Sequence, residues 1–111
     1  MSAFAPLSYT ASVDTVGNPK DPTFTAAIAA GAGTTVVKNA PGRVATITVT
    51  TAGTSTDNGI VYDNTAGSGT ILAVVAGGTA AGTILPVNLP AAIGITVVNV
   101  ASGPAFTVGF S

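Results

Sequence analysis

Asp57 and Asp63 are the two acids whose type and spacing come nearest to a catalytic pair. Six positions apart in an extended segment, they can share a face, but at ~3.3 Å per residue a strand holds them about 20 Å from each other. Glycoside hydrolysis needs its two carboxylates about 5–9.5 Å apart, so general acid–base work by this pair is not expected. Histidine and cysteine are both absent. Their absence removes the common nucleophile–base triads and thiol nucleophiles, and with them the two preferred zinc ligands. The expectation is a protein that is not an enzyme, with no catalytic residues and no cofactor.

Oxygen ligands for a hard cation do occur, in Thr56-Asp57-Asn58-Gly59 and Asp63-Asn64-Thr65. The EF-hand spacing is missing, however, and Asp or Asn beside Gly is already explained by turn chemistry. No metal site is expected. Asp57, Asn58, Asp63 and Asn64 are retained as candidate interaction-loop residues, and Asn58-Gly59 also reads as a hairpin signal. Gly31-Ala32-Gly33 and Gly67-Ser68-Gly69 lack the lysine and following helix of a phosphate loop, so they read as turns.

The elements that must position these groups are constrained by a very low charge. Only 6% of the 111 residues are charged, against about 25% in an average soluble domain. The acids are Asp14, Asp21, Asp57 and Asp63, the bases Lys20, Lys38 and Arg43, and the net charge is -1. Nucleic-acid affinity grows with the number of phosphates neutralised, so neither nucleic acid nor a membrane surface is an expected partner. With 47% hydrophobic residues, the chain has too few charges to coat a monomer, and uncovered apolar surface usually marks an interface. The start of the chain lacks the basic, apolar pattern of a secretory leader. Its longest bland run, residues 26–33, falls short of the roughly 18 residues that suggest a membrane span.

Turn residues at Asn39-Ala40-Pro41-Gly42 divide the chain. The expected organisation is an extended N-terminal arm over residues 1–33 and a β-sandwich over residues 34–111. Pro6, Pro19 and Pro22 punctuate the arm, which has room for one short strand over residues 7–13; Phe4, Leu7 and Tyr9 are its candidate contact residues. Asp21-Pro22 followed by an alanine-rich run offers a helix start, although Thr23, Phe24 and Thr25 suit a strand better.

Beyond residue 42, Ala45, Ile47 and Val49 alternate with Thr46, Thr48 and Thr50, as in a half-buried strand with threonine outward. Further strands are expected over residues 59–63, 70–76, 83–89, 95–100 and 106–110. The nearly continuous apolar run 70–76 reads as covered on both faces, and Pro86 puts its strand at an edge or bulge. Phe106 and Phe110 share a face and are expected to fill the core. The fold class is all-β, an antiparallel β-sandwich with the jelly roll as a candidate form.

Pro41-Gly42-Arg43-Val44-Ala45-Thr46-Ile47-Thr48-Val49, then Ala52-Gly53-Thr54, Val61-Tyr62-Asp63-Asn64 and Gly69-Thr70, resemble small phage virion proteins of the capsid decoration (cement) and head accessory type. The likeness extends over residues 34–111, including Pro90 to Gly94 and the two runs that follow. The resemblance implies a non-enzymatic structural protein on the capsid surface of a bacteriophage virion, made in the host cytoplasm. It also implies binding to the major capsid protein and to copies of itself, with a homotrimer favoured. The alternative expectation is a receptor- or glycan-binding head of a phage fibre or tail accessory protein, using Asp57, Asn58, Asp63 and Asn64.

Overall fold

The computed structural model describes residues 24–111, which form eight β-strands. They are β1 (Phe24–Ile28), β2 (Gly33–Lys38), β3 (Gly42–Thr51), β4 (Gly59–Asp63), β5 (Thr70–Val75), β6 (Ile84–Ala91), β7 (Ile95–Asn99) and β8 (Ala105–Phe110). One sheet has the order β1-β8-β3-β6, the other β2-β7-β4-β5, and every pairing is antiparallel. The expected antiparallel sandwich is therefore present.

Nested pairing organises the described residues. β4 pairs with β5, β3 with β6, β2 with β7 and β1 with β8, around the turn at residues 64–69. The first and third of these pairs lie in one sheet and the other two in the second. Thus a single long hairpin is rolled so that consecutive pairs alternate between layers. All turns then fall at two ends of the sandwich. Residues 29–32, 52–58, 76–83 and 100–104 gather at the end where β4 begins, and residues 39–41, 64–69 and 92–94 at the end where it finishes.

The core is the space between the sheets. Ile28, Val44, Ile47, Val49, Ala91, Phe106 and Val108 come from one sheet and Val61, Val75, Ile95 and Val97 from the other, all buried. Branched side chains suit this role because they are stiff and pack well on a pleated surface. β3 departs from simple alternation. A register shift between Val44 and Thr46 puts Val44, not Ala45, beside Ile47 and Val49 in the core. A bulge of this kind lets two residues oppose one and resets the face.

Residues 24–33 correct the expected organisation. Phe24–Ile28 pair with β8 residue by residue, from Phe24 opposite Phe110 to Ile28 opposite Phe106, so they belong to the sandwich and not to the arm. The Phe24 and Phe110 rings stack at 5.7 Å. Cross-strand partners of this kind override the helix signal of the alanine run, because strand stability comes from such pairs. β2 also starts inside the expected arm, at Gly33. Phe4, Leu7 and Tyr9 lie outside the described residues.

Candidate functional site

The expected interaction residues do not form one surface. Asp57 and Asn58 precede β4 while Asp63 and Asn64 end and follow it, so the strand carries them to opposite ends of the sandwich.

At the Asp63 end, the carboxylate is spent on the fold. Its Oδ2 accepts from the backbone N–H of Ala92 at 3.0 Å, and its Oδ1 from those of Ile93 at 2.8 Å and Gly94 at 3.4 Å. These donors, Ala92 first, hold the Asp63 pKa below the usual carboxylate value against the opposing effect of partial burial. Asp63 thereby clasps the β6–β7 turn. Asn64 is similarly engaged: its Nδ2 donates to the Ser68 carbonyl at 2.8 Å, and its Oδ1 accepts from the Thr65 N–H at 2.8 Å. Its carbonyl accepts from Thr96 Oγ1 at 2.8 Å, pinning the β4–β5 turn onto β7.

At the other end, Asn58 Oδ1 accepts from the Gly77 N–H at 3.0 Å. Asn58-Gly59 is not a hairpin turn, since β3 and β4 lie in different sheets. Gly59 is buried, and a Cβ there would meet Cε1 of Phe106 at 2.6 Å. The dipeptide thus has two separate reasons, a loop tie for the asparagine and a ring above the glycine.

Asn99 was not anticipated from the sequence. It lies on the inward side of β7, fully buried, at the end of the core nearest Asn58. Its Nδ2 donates to the Ala29 carbonyl at 2.9 Å and the Pro104 carbonyl at 2.8 Å, bridging the β1–β2 and β7–β8 turns. Oδ1 has no hydrogen-bond partner among the described residues. A Cβ on Gly103 would collide with that oxygen, so the glycine makes room for the amide. Burying an amide without full pairing costs on the order of 1–3 kcal/mol, which the two carbonyl contacts offset.

The two outward faces differ in chemistry. On the β1-β8-β3-β6 sheet, the register sets Thr25, Gly109, Thr46 and Pro86 in one row and Ala27, Thr107, Thr48 and Ile84 in the next. Threonine dominates there, as expected. On the β2-β7-β4-β5 sheet the rows are Thr34, Val98, Ile60, Val74 and Val36, Thr96, Tyr62, Ile71. No charge interrupts them, and Val36, Ile71 and Val74 are about half exposed, at 48%, 51% and 49%. The turn at 64–69 leans over the β2 side of this face: a Cβ on Gly67 would meet Cγ2 of Val98 at 2.6 Å. The apolar surface of β4 and β5 stays open. β5 was expected to be covered on both faces and is instead an edge strand with Ile71 and Val74 in solvent.

Among the described residues no group of three or more acidic, histidine or cysteine side chains is placed to hold a metal ion, and no helix is long and apolar enough to cross a membrane. Comparison with protein-family models, with curated proteins and with solved structures gives no match.

Proposed function

We propose that this chain is a non-enzymatic virion structural protein that decorates and cements a phage capsid by binding the major capsid protein and copies of itself, as a trimer, on the capsid surface. The observation that carries this reading is the uncharged, open apolar surface of β4 and β5, built from Ile60, Tyr62, Ile71 and Val74, with Ile71 and Val74 about half exposed. An exposed apolar patch is the usual mark of a protein contact, and the outward rows of the opposite sheet are richer in threonine, with Ile84 as their exposed large hydrophobic.

The strand order supports it. We read the strand orders β1-β8-β3-β6 and β2-β7-β4-β5 in favour of the jelly-roll form of the sandwich, an architecture used in viral capsid and lectin domains. The same architecture serves lectins, so a glycan- or receptor-binding head is the second reading. It is weakened by the separation of Asp57 and Asn58 from Asp63 and Asn64, and by the backbone ties on Asn58, Asp63 and Asn64.

The test is sedimentation of the purified protein with shells assembled from the major capsid protein, alongside a glycan array. The decoration reading expects saturable binding to shells at a fixed ratio and no glycan signal. Glycan binding that is lost in Asp63→Ala, without shell binding, would establish the second reading instead.

A further inference from the structure

The sequence holds one Asn-Gly pair, Asn58-Gly59; Asn18, Asn39, Asn64, Asn88 and Asn99 precede Pro, Ala, Thr, Leu and Val. Glycine after asparagine is the pair most prone to ring closure. The glycine nitrogen attacks the asparagine Cγ, and no Cβ stands in the way. Asn58 is exposed, while Gly59 is buried at the start of β4. The pair therefore joins an accessible electrophile to an enclosed nucleophile.

Three features of the fold hold the two groups back from each other. Gly59 lies within the ladder, opposite Asn99 of β7 on one side and Val75 of β5 on the other. In an antiparallel ladder the N–H of such a residue is directed at one neighbour's carbonyl, so this nitrogen is engaged. The space that the glycine leaves open is filled from inside. A Cβ there would lie 2.6 Å from Cε1 and 2.9 Å from Cζ of Phe106. The Asn58 carboxamide is itself tied to another loop, its Oδ1 accepting from the Gly77 N–H at 3.0 Å. Gly77 is fixed in turn: a Cβ on it would collide with the carbonyl oxygens of Thr54 and Asp57, and its own carbonyl accepts from the Gly53 N–H at 2.8 Å.

We infer that Asn58 is a site of covalent conversion gated by the fold, closed in the intact sandwich and open once the start of β4 comes away. In the open chain the Gly59 nitrogen gives up its proton to solvent base and bonds to Asn58 Cγ. The Cγ–Nδ2 bond breaks, and Nδ2 takes a proton and leaves as ammonia. Water then opens the cyclic imide at either carbonyl, leaving aspartate or isoaspartate, with nothing oxidised or reduced. Aspartate keeps the backbone length and an acceptor for the Gly77 N–H. Isoaspartate puts an extra main-chain carbon directly before Gly59, which must still meet Phe106 and both neighbouring strands. Opening this end of the sandwich thus has an irreversible consequence, and the lifetime of the intact chain is set by how seldom it opens.

The test is peptide mapping by mass spectrometry of the full-length chain kept in mildly alkaline buffer, both folded and in concentrated urea. In urea, conversion of amide to acid is expected at Asn58 ahead of every other asparagine. In the folded protein it should run about ten-fold or more slowly, because only the locally opened fraction reacts. Asn58→Gln, whose longer side chain must close a larger ring, should show no conversion at that position in urea over the same period. Hydrogen exchange of the Gly59 amide in the folded protein gives an independent reading and is expected to be slow, as its place in the ladder requires. After removal of urea, the aspartate form should refold and the isoaspartate form should not. Equal conversion rates in the folded and unfolded chain, or fast exchange at Gly59, would show that the fold sets no gate. No preference for Asn58 in urea would remove the site, and full refolding of the isoaspartate form would overturn the consequence for β4.

Discussion

Phe106 of β8 lies over the position where Gly59 of β4 would carry a Cβ, so the largest buried side chain joins the two sheets through a missing side chain. The ring is 1% exposed and packs within the central cluster. Gly59→Ala should therefore overpack the core and cost about 1–3 kcal/mol. Phe106→Ala should cost about 3–5 kcal/mol by opening a cavity. Urea unfolding of both variants checks the order. An unchanged midpoint for Gly59→Ala would mean that the ring can move aside.

Asn99 holds two turns from inside the core, and its replacement tests that role. Asn99→Leu strands the carbonyls of Ala29 and Pro104, with an expected loss of about 2–4 kcal/mol from two unsatisfied groups. Asn99→Asp should behave differently with pH. A buried carboxylate facing two carbonyls has a raised pKa, so this variant should regain stability as pH falls and the acid becomes neutral. Thermal melts at several pH values distinguish the two substitutions.

Asp63 predicts the opposite dependence. Its folded pKa lies below the ordinary value of about 3.9 because backbone N–H groups favour the charged form. Its stabilising contribution is present above the unfolded value and is lost as pH falls through the depressed folded one. Asp63→Asn should flatten that part of the acid limb between the two values. An identical acid limb in wild type and variant would remove Asp63 from this role.

Chelation should do nothing. Asp63 and Asn64 are satisfied by their own backbone neighbours, and Asp57 stands at the far end of β4. Melting temperatures with EDTA and with millimolar calcium are expected to coincide. A calcium-dependent rise of several degrees would show a site that these side chains can form.

Much of the sandwich was legible in the residues because alternation is a local signal. Thr46 and Thr48 face outward, Ile47 and Val49 inward, and Pro86 sits on an edge strand as its missing donor demands. What was not legible depends on distant partners. The bulge that replaces Ala45 with Val44 in the core is set by β6 and β8. β1 is a strand because Phe110, Val108 and Phe106 lie beside it. Asn58-Gly59 mimics a hairpin because Phe106, far along the chain, needs the same glycine. Asp63 and Asn64 looked available for a partner because their acceptors and donors come from backbone in turns, which side-chain spacing does not reveal. For β5, composition gave the apolar run, whereas its place at the edge follows from the order of the whole sheet.

The most direct test of the central claim, that the apolar face of β4 and β5 is a contact surface, is the solution mass of the full-length protein by light scattering over a range of concentrations. The account predicts a multiple of the 10.6 kDa chain, with three copies expected, that falls toward a single chain in Ile71→Lys with Val74→Lys while the fold is retained. A single-chain mass at every concentration for the unaltered protein would contradict it.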